Sequence, residues 1–470
     1  MACLATNDAR YCAARHTLTT LRQHGHQAYF AGGCVRDLLL GVVPKDYDVA
    51  TSARPEQVQA LFAKTAAVGA HFGVVLVMHA VEQEADSESV VEIATEVATF
   101  RHDGSYSDGR RPDTVQFSSR AEDDVQRRDF TINGMLLDPV QYEASGDAAA
   151  ATLDLVGGRA DLEHGIVRAI GKAEDRFAED KLRMLRAVRF AARLGFTLEP
   201  TTYAAMQRAA AQIHQVSCER VRDELTRILT EGGARRGMEM LDSTGLLQHL
   251  LPEAVRLHGV AQPPEFHPEG DVWTHTMLLL QQLPAGCSTT LAWGALLHDI
   301  GKPATFRAPD PAIPGDRIRF NGHVEVGVRI AELVLARLRF SNQETAQIVA
   351  LVKNHMRFGD VMEMRESTRK RFLRLDHFDE HLALHWLDAS SCHGDLRLYH
   401  YARQQYESMP VEAMRPPLLL RGDDLIAAGY KPGPRFRTML ESAENAQLEG
   451  LVHTTAEALA WVQQQFDQAG

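Results

Sequence analysis

Residues 31–51 read AGGCVRDLLLGVVPKDYDVAT, with Asp46 and Asp48 one residue apart beyond a glycine pair. On a β-strand, side chains at i and i+2 share a face, so these two carboxylates converge. Left alone they repel; a divalent cation relieves the repulsion. Two such ions about 4 Å apart can activate an attacking hydroxyl and stabilise a leaving pyrophosphate. Gly32 and Gly33 let backbone amides approach phosphates closely, and the helix opening behind them favours anions. Arg36 adds a charge-assisted donor. The chemistry these residue types suit is transfer at a triphosphate.

The elements that must position them can be read from patterning. YFAGGCVRD reads as strand, turn and helix start, and DYDVAT as a second strand. RPEQVQALFAK opens a helix with Pro55 in its first turn. GVVLVMHA, VVEIATEVATF and DTVQF read as further strands. RHDGSYSDGRRPD, between the last two, is polar and glycine-bearing and reads as a mobile loop. From about residue 160 the pattern turns helical: Leu182, Leu185, Val188 and Leu194 recur at helical spacing, and Gly195 ends the run. PPEFHPEGDVW reads as a linker into another helical block, and KPGPRF as a break before a helical tail. The expected fold class is α+β, a small mixed sheet with helices followed by an all-helical remainder.

Composition bounds the alternatives. The chain has 470 residues, 45% apolar and 24% charged, so several domains are expected. A net charge of −12 argues against non-specific coating of nucleic acid and leaves room for a local basic groove. The 6 cysteines include no CxxC, which reads as a reduced, cytoplasmic chain. No export signal is evident, and no apolar run approaches the ~20 residues that span a bilayer.

GGCVRDLLLG…KDYDVAT resembles the head signature of the class II tRNA nucleotidyltransferase and bacterial poly(A) polymerase superfamily, whose heads are polymerase-β-like. TEVATFRHDGSYSDGRRPDTVQF, EDDVQRRDFTINGMLLDP, RFAEDKLRMLRAVRFAARLGF and CERVRDELTRIL follow in that family's order. The resemblance implies that Asp46 and Asp48 hold Mg²⁺ with a third carboxylate. Glu96 matches the family position, and Glu92, of the same strand parity, is the alternative. It also implies that Arg127, Arg128, Asp129 and Asn133 grip ribose and phosphates. The implied activity is template-independent addition of C, C and A to a tRNA 3′ end from CTP and ATP. Poly(A) polymerases and enzymes restricted to CC or to A alone are the neighbouring readings.

Within that frame EDKLR carries base choice. Asp180 and Arg183, three apart on one helix, share a face. A carboxylate accepts from an exocyclic amino group, and a guanidinium donates to a ring nitrogen or carbonyl. Cytosine and adenine both offer that pattern; guanine and uracil reverse it. Glu179 is expected to orient the pair, and Arg186 and Arg189 continue the stripe toward the phosphates. The loop RHDGSYSDGRRPD is the candidate lever that reshapes the pocket between C and A addition.

The second half is histidine-rich. His275, His298–Asp299, His323, His355 and Asp388 resemble the H…HD…D ligand pattern of the HD phosphohydrolase superfamily. That resemblance implies a divalent site (Mn, Ni, Co, Fe or Mg) that hydrolyses phosphoesters, with Lys302 beside it. An HD phosphohydrolase with a merely nucleotide-binding head is the reading from a different class. The resemblance divides the chain into a head (1–150), a helical neck and body (151–262), an HD domain (263–405) and a helical tail (406–470). The tail is expected to meet tRNA. Arg183, Arg186, Arg189, Arg193 and RKRFLR (369–374) would form the positive groove that holds the RNA backbone.

Overall fold

The computed structural model describes residues 8–67, 73–82, 90–104 and 114–466. The chain divides into two compact units, Met1–Pro252 and Glu253–Gly470.

The first unit is built on a mixed seven-stranded sheet. Its strands are β1 (Ala28–Ala31), β2 (Asp48–Thr51), β3 (Thr65–Ala66), β4 (Val74–Glu82), β5 (Val90–Thr99), β8 (Leu136–Leu137) and β9 (Thr152–Leu153). Between β5 and β8 in sequence, β6 (Arg101–Asp103) pairs antiparallel with β7 (Val115–Phe117) outside that sheet. The sheet order is β3-β4-β5-β2-β1-β8-β9. One contact matters most for function. β2 runs parallel to β5 in the register Val49↔Val97, which brings the start of β2 level with Glu96. β1 runs antiparallel to β2, pairing Ala31 with Asp48, so the glycine turn leaves the sheet beside the carboxylates. The strands that read as near-continuous apolar runs are those buried at the sheet centre, with Phe30, Val49 and Val97 in the core.

The helical part of this unit follows the expected pattern. The helix Leu182–Leu194 buries Leu182, Leu185 and Val188 and ends at Gly195, whose φ of 71° is the left-handed cap the sequence calls for. It packs against the helices Cys218–Thr230 and Ala234–Ser243.

Two expectations are corrected here. β2 begins at Asp48, so Asp46 lies in the exposed turn before it, not on the strand. β1 ends at Ala31, opposite Asp48, and the chain turns away at Gly32, so residues before Asp48 have no partner in β1. Asp180 does not share a helix with Arg183. It caps Ala173–Glu179 in an extended conformation, φ −147° and ψ 108°, and the next helix starts at Leu182. Its carboxylate accepts the Leu182 amide at 3.0 Å, which makes the break itself a capping arrangement. Residues 105–113 of the expected lever loop lie outside the described residues; its base is the β6–β7 pair.

The second unit is helical. Val272–Gln281, Thr289–Leu297 and Phe378–Ser391 pack together, with Trp293, Leu279 and Leu387 buried among them. His323–Arg337 and Asn342–Asn354 form an adjacent pair. Gly301 follows the His298–Asp299 dipeptide, and a Cβ there would lie 2.1 Å from the His323 carbonyl oxygen. Only glycine lets these two segments meet. Among the described residues no helix is long and apolar enough to cross a membrane.

Candidate active site and metal centre

Every nucleotide-binding residue expected from the sequence lines one cleft of about 500 Å³ in the first unit. Gly32, Gly33, Arg36, Arg127, Arg128, Asp129, Asn133, Asp180, Arg183, Arg186 and Arg189 surround it, together with Asp48. Gly32 has φ +78° and ψ −129°, a conformation that glycine alone adopts without strain, and a Cβ there would crowd Arg128 Nη1 at 3.1 Å.

The three carboxylates meet at one end of the sheet. Burial pushes the Asp48 carboxyl up to about 6, and the charges of Glu96 and Asp46 add to the rise against the pull of Arg128. Glu96 is likewise raised, first by desolvation and then by Asp46, again opposed by Arg128. Glu92 sits elsewhere, ion-paired with Lys64 at an exposed position. The structure therefore places Glu96, not Glu92, with the aspartate pair. An all-oxygen set of mutually repelling carboxylates fits a hard divalent cation such as Mg²⁺.

The arginines are held, not loose. Arg36 donates from Nε and Nη2 to Asp37 Oδ1 (2.8 and 2.7 Å) and from Nη1 to Asn133 Oδ1 (2.7 Å). Asn133 donates in turn to Asp129 Oδ1 at 3.3 Å, and Arg186 Nε to Asp129 Oδ2 at 2.8 Å. Arg127 and Arg128 both grip Asp124, at 2.6 and 2.8 Å. Burial would raise Asp124, but the two guanidiniums outweigh it and hold the carboxyl below its ordinary range. Asp124 was not singled out in the sequence. Its signal was the spacing DVQRR, which puts one carboxylate three and four residues before two arginines on one helical turn.

The base-reading pair is arranged differently from its sequence expectation. Arg183 is fixed by Glu179 (2.5 Å) and by the carbonyls of Arg127 and Arg176 (both 3.2 Å). Glu179 thus holds Arg183, and also Arg176, but not Asp180, so it orients only one member of the expected pair. Asp180 pairs with Arg220, at 2.7 Å, from the helix Cys218–Thr230. Arg220 was missed because its partner is 40 residues away in sequence. Arg189 is turned into the protein, buried against Glu224 at 2.7 Å and Glu231 at 3.2 Å. Phe190 was also missed: Arg36, Arg186 and Arg189 stack around its ring, with centroid distances of 5.3, 5.4 and 4.4 Å.

In the second unit all six expected ligands converge. His275 Nε2 lies 3.1 Å from Asp388 Oδ1 and 3.3 Å from His298 Nε2. His298 Nε2 is 3.2 Å from Asp299 Oδ2, while His323 and His355 place Nε2 at 3.9 and 3.7 Å from Asp299 Oδ1. Outward hydrogen bonds set the tautomers. Nδ1 of His298, His323 and His355 faces the carbonyls of Ala295, Phe320 and Val352, at 2.8, 2.9 and 2.7 Å. A carbonyl only accepts, so Nδ1 carries the hydrogen and Nε2 keeps its lone pair. Nδ1 of His275 faces Glu269 at 2.8 Å. Burial pushes His355 down to about 4, which keeps the ring neutral at pH 7. The Nε2 atoms of His323 and His355 are buried without a hydrogen-bond partner. Inward lone pairs of mixed nitrogen and oxygen donors fit a divalent transition metal. Lys302 bonds Asp299 at 2.7 Å and Gln262 at 2.7 Å, at the edge of a cavity of about 750 Å³.

The RKRFLR run does not form an open basic surface. Arg371 and Arg374 pair with Glu444, Lys370 with Glu366 and the Leu448 carbonyl, and Arg369 with the Tyr401 hydroxyl. It docks the helix Arg435–Leu448 onto Glu366–Leu373.

Comparison with known proteins agrees with the fold of the first unit. Residues 28–168 match the Poly A polymerase head domain, 195–257 the probable RNA and SrmB-binding site of polymerase A, and 323–462 the tRNA nucleotidyltransferase domain 2 family. The CCA-adding enzyme of Geobacillus stearothermophilus is 44% identical over 230 residues, 49% of this chain and 52% of that protein. That of Levilactobacillus brevis is 37% identical over 290 residues, 61% of this chain and 64% of that protein. The aligned chain thus spans about half to two thirds of these relatives' length. The crystal structure of the Bacillus stearothermophilus CCA-adding enzyme in complex with CTP matches over 98% of this chain and 99% of that one, with a TM-score of 0.71 and 26% identity. The CCA-adding enzyme of Latilactobacillus sakei is 36% identical over 302 residues, 63% of this chain and 71% of that protein, and the chain belongs to the CCA-adding enzyme family.

Proposed function

We propose that this protein is a nucleotidyltransferase that adds CCA to the 3′ end of tRNA from CTP and ATP, without a template, in the cytoplasm. The observation that carries the reading is the single cleft holding the glycine turn, Asp48, the arginine network and Asp180/Arg183. The names of the relatives and the likeness to the CTP-bound CCA-adding enzyme support it. We assign the head to 1–150, the neck and body to 151–262, a histidine-ligand domain to 263–405 and a tail with tRNA contact to 406–470.

Asp46, Asp48 and Glu96 would hold Mg²⁺. Bound there, it supplies charge neutralisation at the triphosphate and a more acidic acceptor hydroxyl. The rest falls to side chains of the cleft. Arg128, over the Gly32 turn, and Arg36 face the triphosphate. Asp129 and Asn133, held in one network with Arg36 and Arg186, would bind the ribose. Asp180 and Arg183 present an acceptor and a donor edge for cytosine or adenine. Arg220 and Glu179 hold that edge in place, so choice of base is built into the protein.

The test uses full-length protein with tRNA lacking CCA, tRNA ending in C or CC, and an unstructured RNA. Addition of CC from CTP alone and of a single terminal A once ATP is present is the expected result. Long A tails, or products that stop at CC with both nucleotides present, would replace this reading by poly(A) or CC addition.

A second reading applies to the other unit. The histidine centre is a metal-dependent phosphoesterase of HD type, carried by the orphaned Nε2 atoms of His323 and His355. Loss of phosphoester hydrolysis in His298→Ala with Asp299→Ala, with nucleotide addition kept, tests it.

A further inference from the structure

One group beside the histidine centre has no part in the six-ligand pattern. Cys392 follows the helix Phe378–Ser391 and stands four residues after Asp388, on the same face. Its thiol donates to the Asp388 carbonyl at 2.8 Å, and Sγ lies 4.0 Å from Asp388 Oδ1, the oxygen that meets His275. Cys392 lines the cavity that opens onto Asp299 and His355. His267, Glu269, His275 and Cys392 each present a ligating atom, and these atoms lie within 4.8 Å of one another.

An independent observation shows that the cavity Cys392 lines is short of a partner. His355, 5% exposed, lines the same cavity and ends in an Nε2 without a hydrogen bond. A buried imidazole nitrogen left bare is costly unless a cation completes it.

We propose that Cys392 is a sulfur ligand to the cation held by His275 and Asp388, which makes this end of the site selective for thiophilic divalent metals over Mg²⁺. The proposal rests on the metal reading of the histidine centre. On ligation the S–H bond breaks, the sulfur–metal bond forms and the proton leaves to solvent. Glu269 keeps its carboxylate behind His275, raising the donor strength of that imidazole. Soft sulfur beside an imidazole favours Zn²⁺, Co²⁺ or Fe²⁺; Mg²⁺ prefers oxygen and water.

The test strips full-length protein with a chelator, keeps it reduced and anaerobic, and titrates it with Co²⁺. Wild type should show a sulfur-to-cobalt charge-transfer band, and Cys392→Ser should bind cobalt without it. Zinc affinity should fall at least about tenfold in that variant. X-ray absorption on zinc-loaded wild type gives a measure independent of any variant: a sulfur scatterer at about 2.3 Å is expected. Cobalt bound without the band, only nitrogen and oxygen scatterers, or a band that persists in Cys392→Ser would overturn the proposal and leave the metal centre standing. A wild type that binds no cobalt at all would overturn the metal centre as well.

Discussion

The cleft of the first unit and the cavity of the second are both places where like groups crowd, and they solve the crowding in opposite ways. In the cleft nearly every charged side chain already has a protein partner: Arg36 has Asp37, Arg127 and Arg128 share Asp124, Arg186 has Asp129, Asp180 has Arg220. In the cavity the outward nitrogens are satisfied, and the inward Nε2 atoms of His323 and His355 are left bare. The first arrangement preorganises a polar surface for a ligand that comes and goes. The second has the donor arrangement of a cation site. Pre-paired charges fix geometry before substrate arrives, which saves reorganisation in the transition state. Converging lone pairs store an unmet demand that a cation fills.

The comparison breaks most sharply at Asp46, Asp48 and Glu96, which make no ion pair among the described residues. Asp48→Asn should lower nucleotide incorporation on the order of 10³-fold, because charge stabilisation of several kcal/mol is lost; single-turnover incorporation of CTP checks it. An effect below tenfold would mean the acidic end of the cleft holds no essential cation. Next in size is Asp124→Asn, which strips two guanidiniums of their shared counter-charge. A loss of about 3 kcal/mol in unfolding free energy is expected, read from denaturant midpoints. A variant of unchanged stability would show that the arginines are not held by Asp124. On the other side of the comparison, zinc at 100-fold above its dissociation constant should stabilise the protein by about 2.7 kcal/mol, measured as a thermal shift that excess Mg²⁺ does not reproduce. Phe190→Leu sharpens the account of preorganisation: losing one aromatic face under three guanidiniums should cost about 1–2 kcal/mol of nucleotide binding, seen as a rise in KM for both CTP and ATP with kcat little changed. The smallest effect belongs to Arg371→Ala. Its partner is Glu444, so stability should fall by up to about 1 kcal/mol and the salt dependence of tRNA binding should not move.

Much of this was legible because residue type and short spacing carry it. The glycine turn, the Leu182–Leu194 helix with its Gly195 cap, and the six metal-type ligands of the second unit depend on local conformation or on donor chemistry, both readable along one line of sequence. The misreadings share a cause. Asp180 and Arg183 have helical spacing, but the chain breaks at Asp180 because its carboxylate caps the next helix and pairs with Arg220. RKRFLR has the composition of an RNA-binding run, but Glu366, Glu444 and the Tyr401 hydroxyl engage it from within the fold. A charge in a sequence has no visible partner, so a paired arginine and an open one look the same.

By itself the sequence determined which chemistries were possible: two hard carboxylates behind a glycine turn, a donor–acceptor edge for a base, a set of imidazoles for a metal. Tertiary structure alone decided which groups are free to perform them. Glu96 joined the aspartates because β5 lies parallel to β2 with Val97 beside Val49, and Glu92 did not because it lies four residues back along β5, about 13 Å away. Asp124, Arg220, Phe190 and Cys392 acquired roles only through what the fold set beside them. The physical reason is that charge pairing and ligation depend on distances of a few ångströms in space, and separations along the chain do not specify these distances.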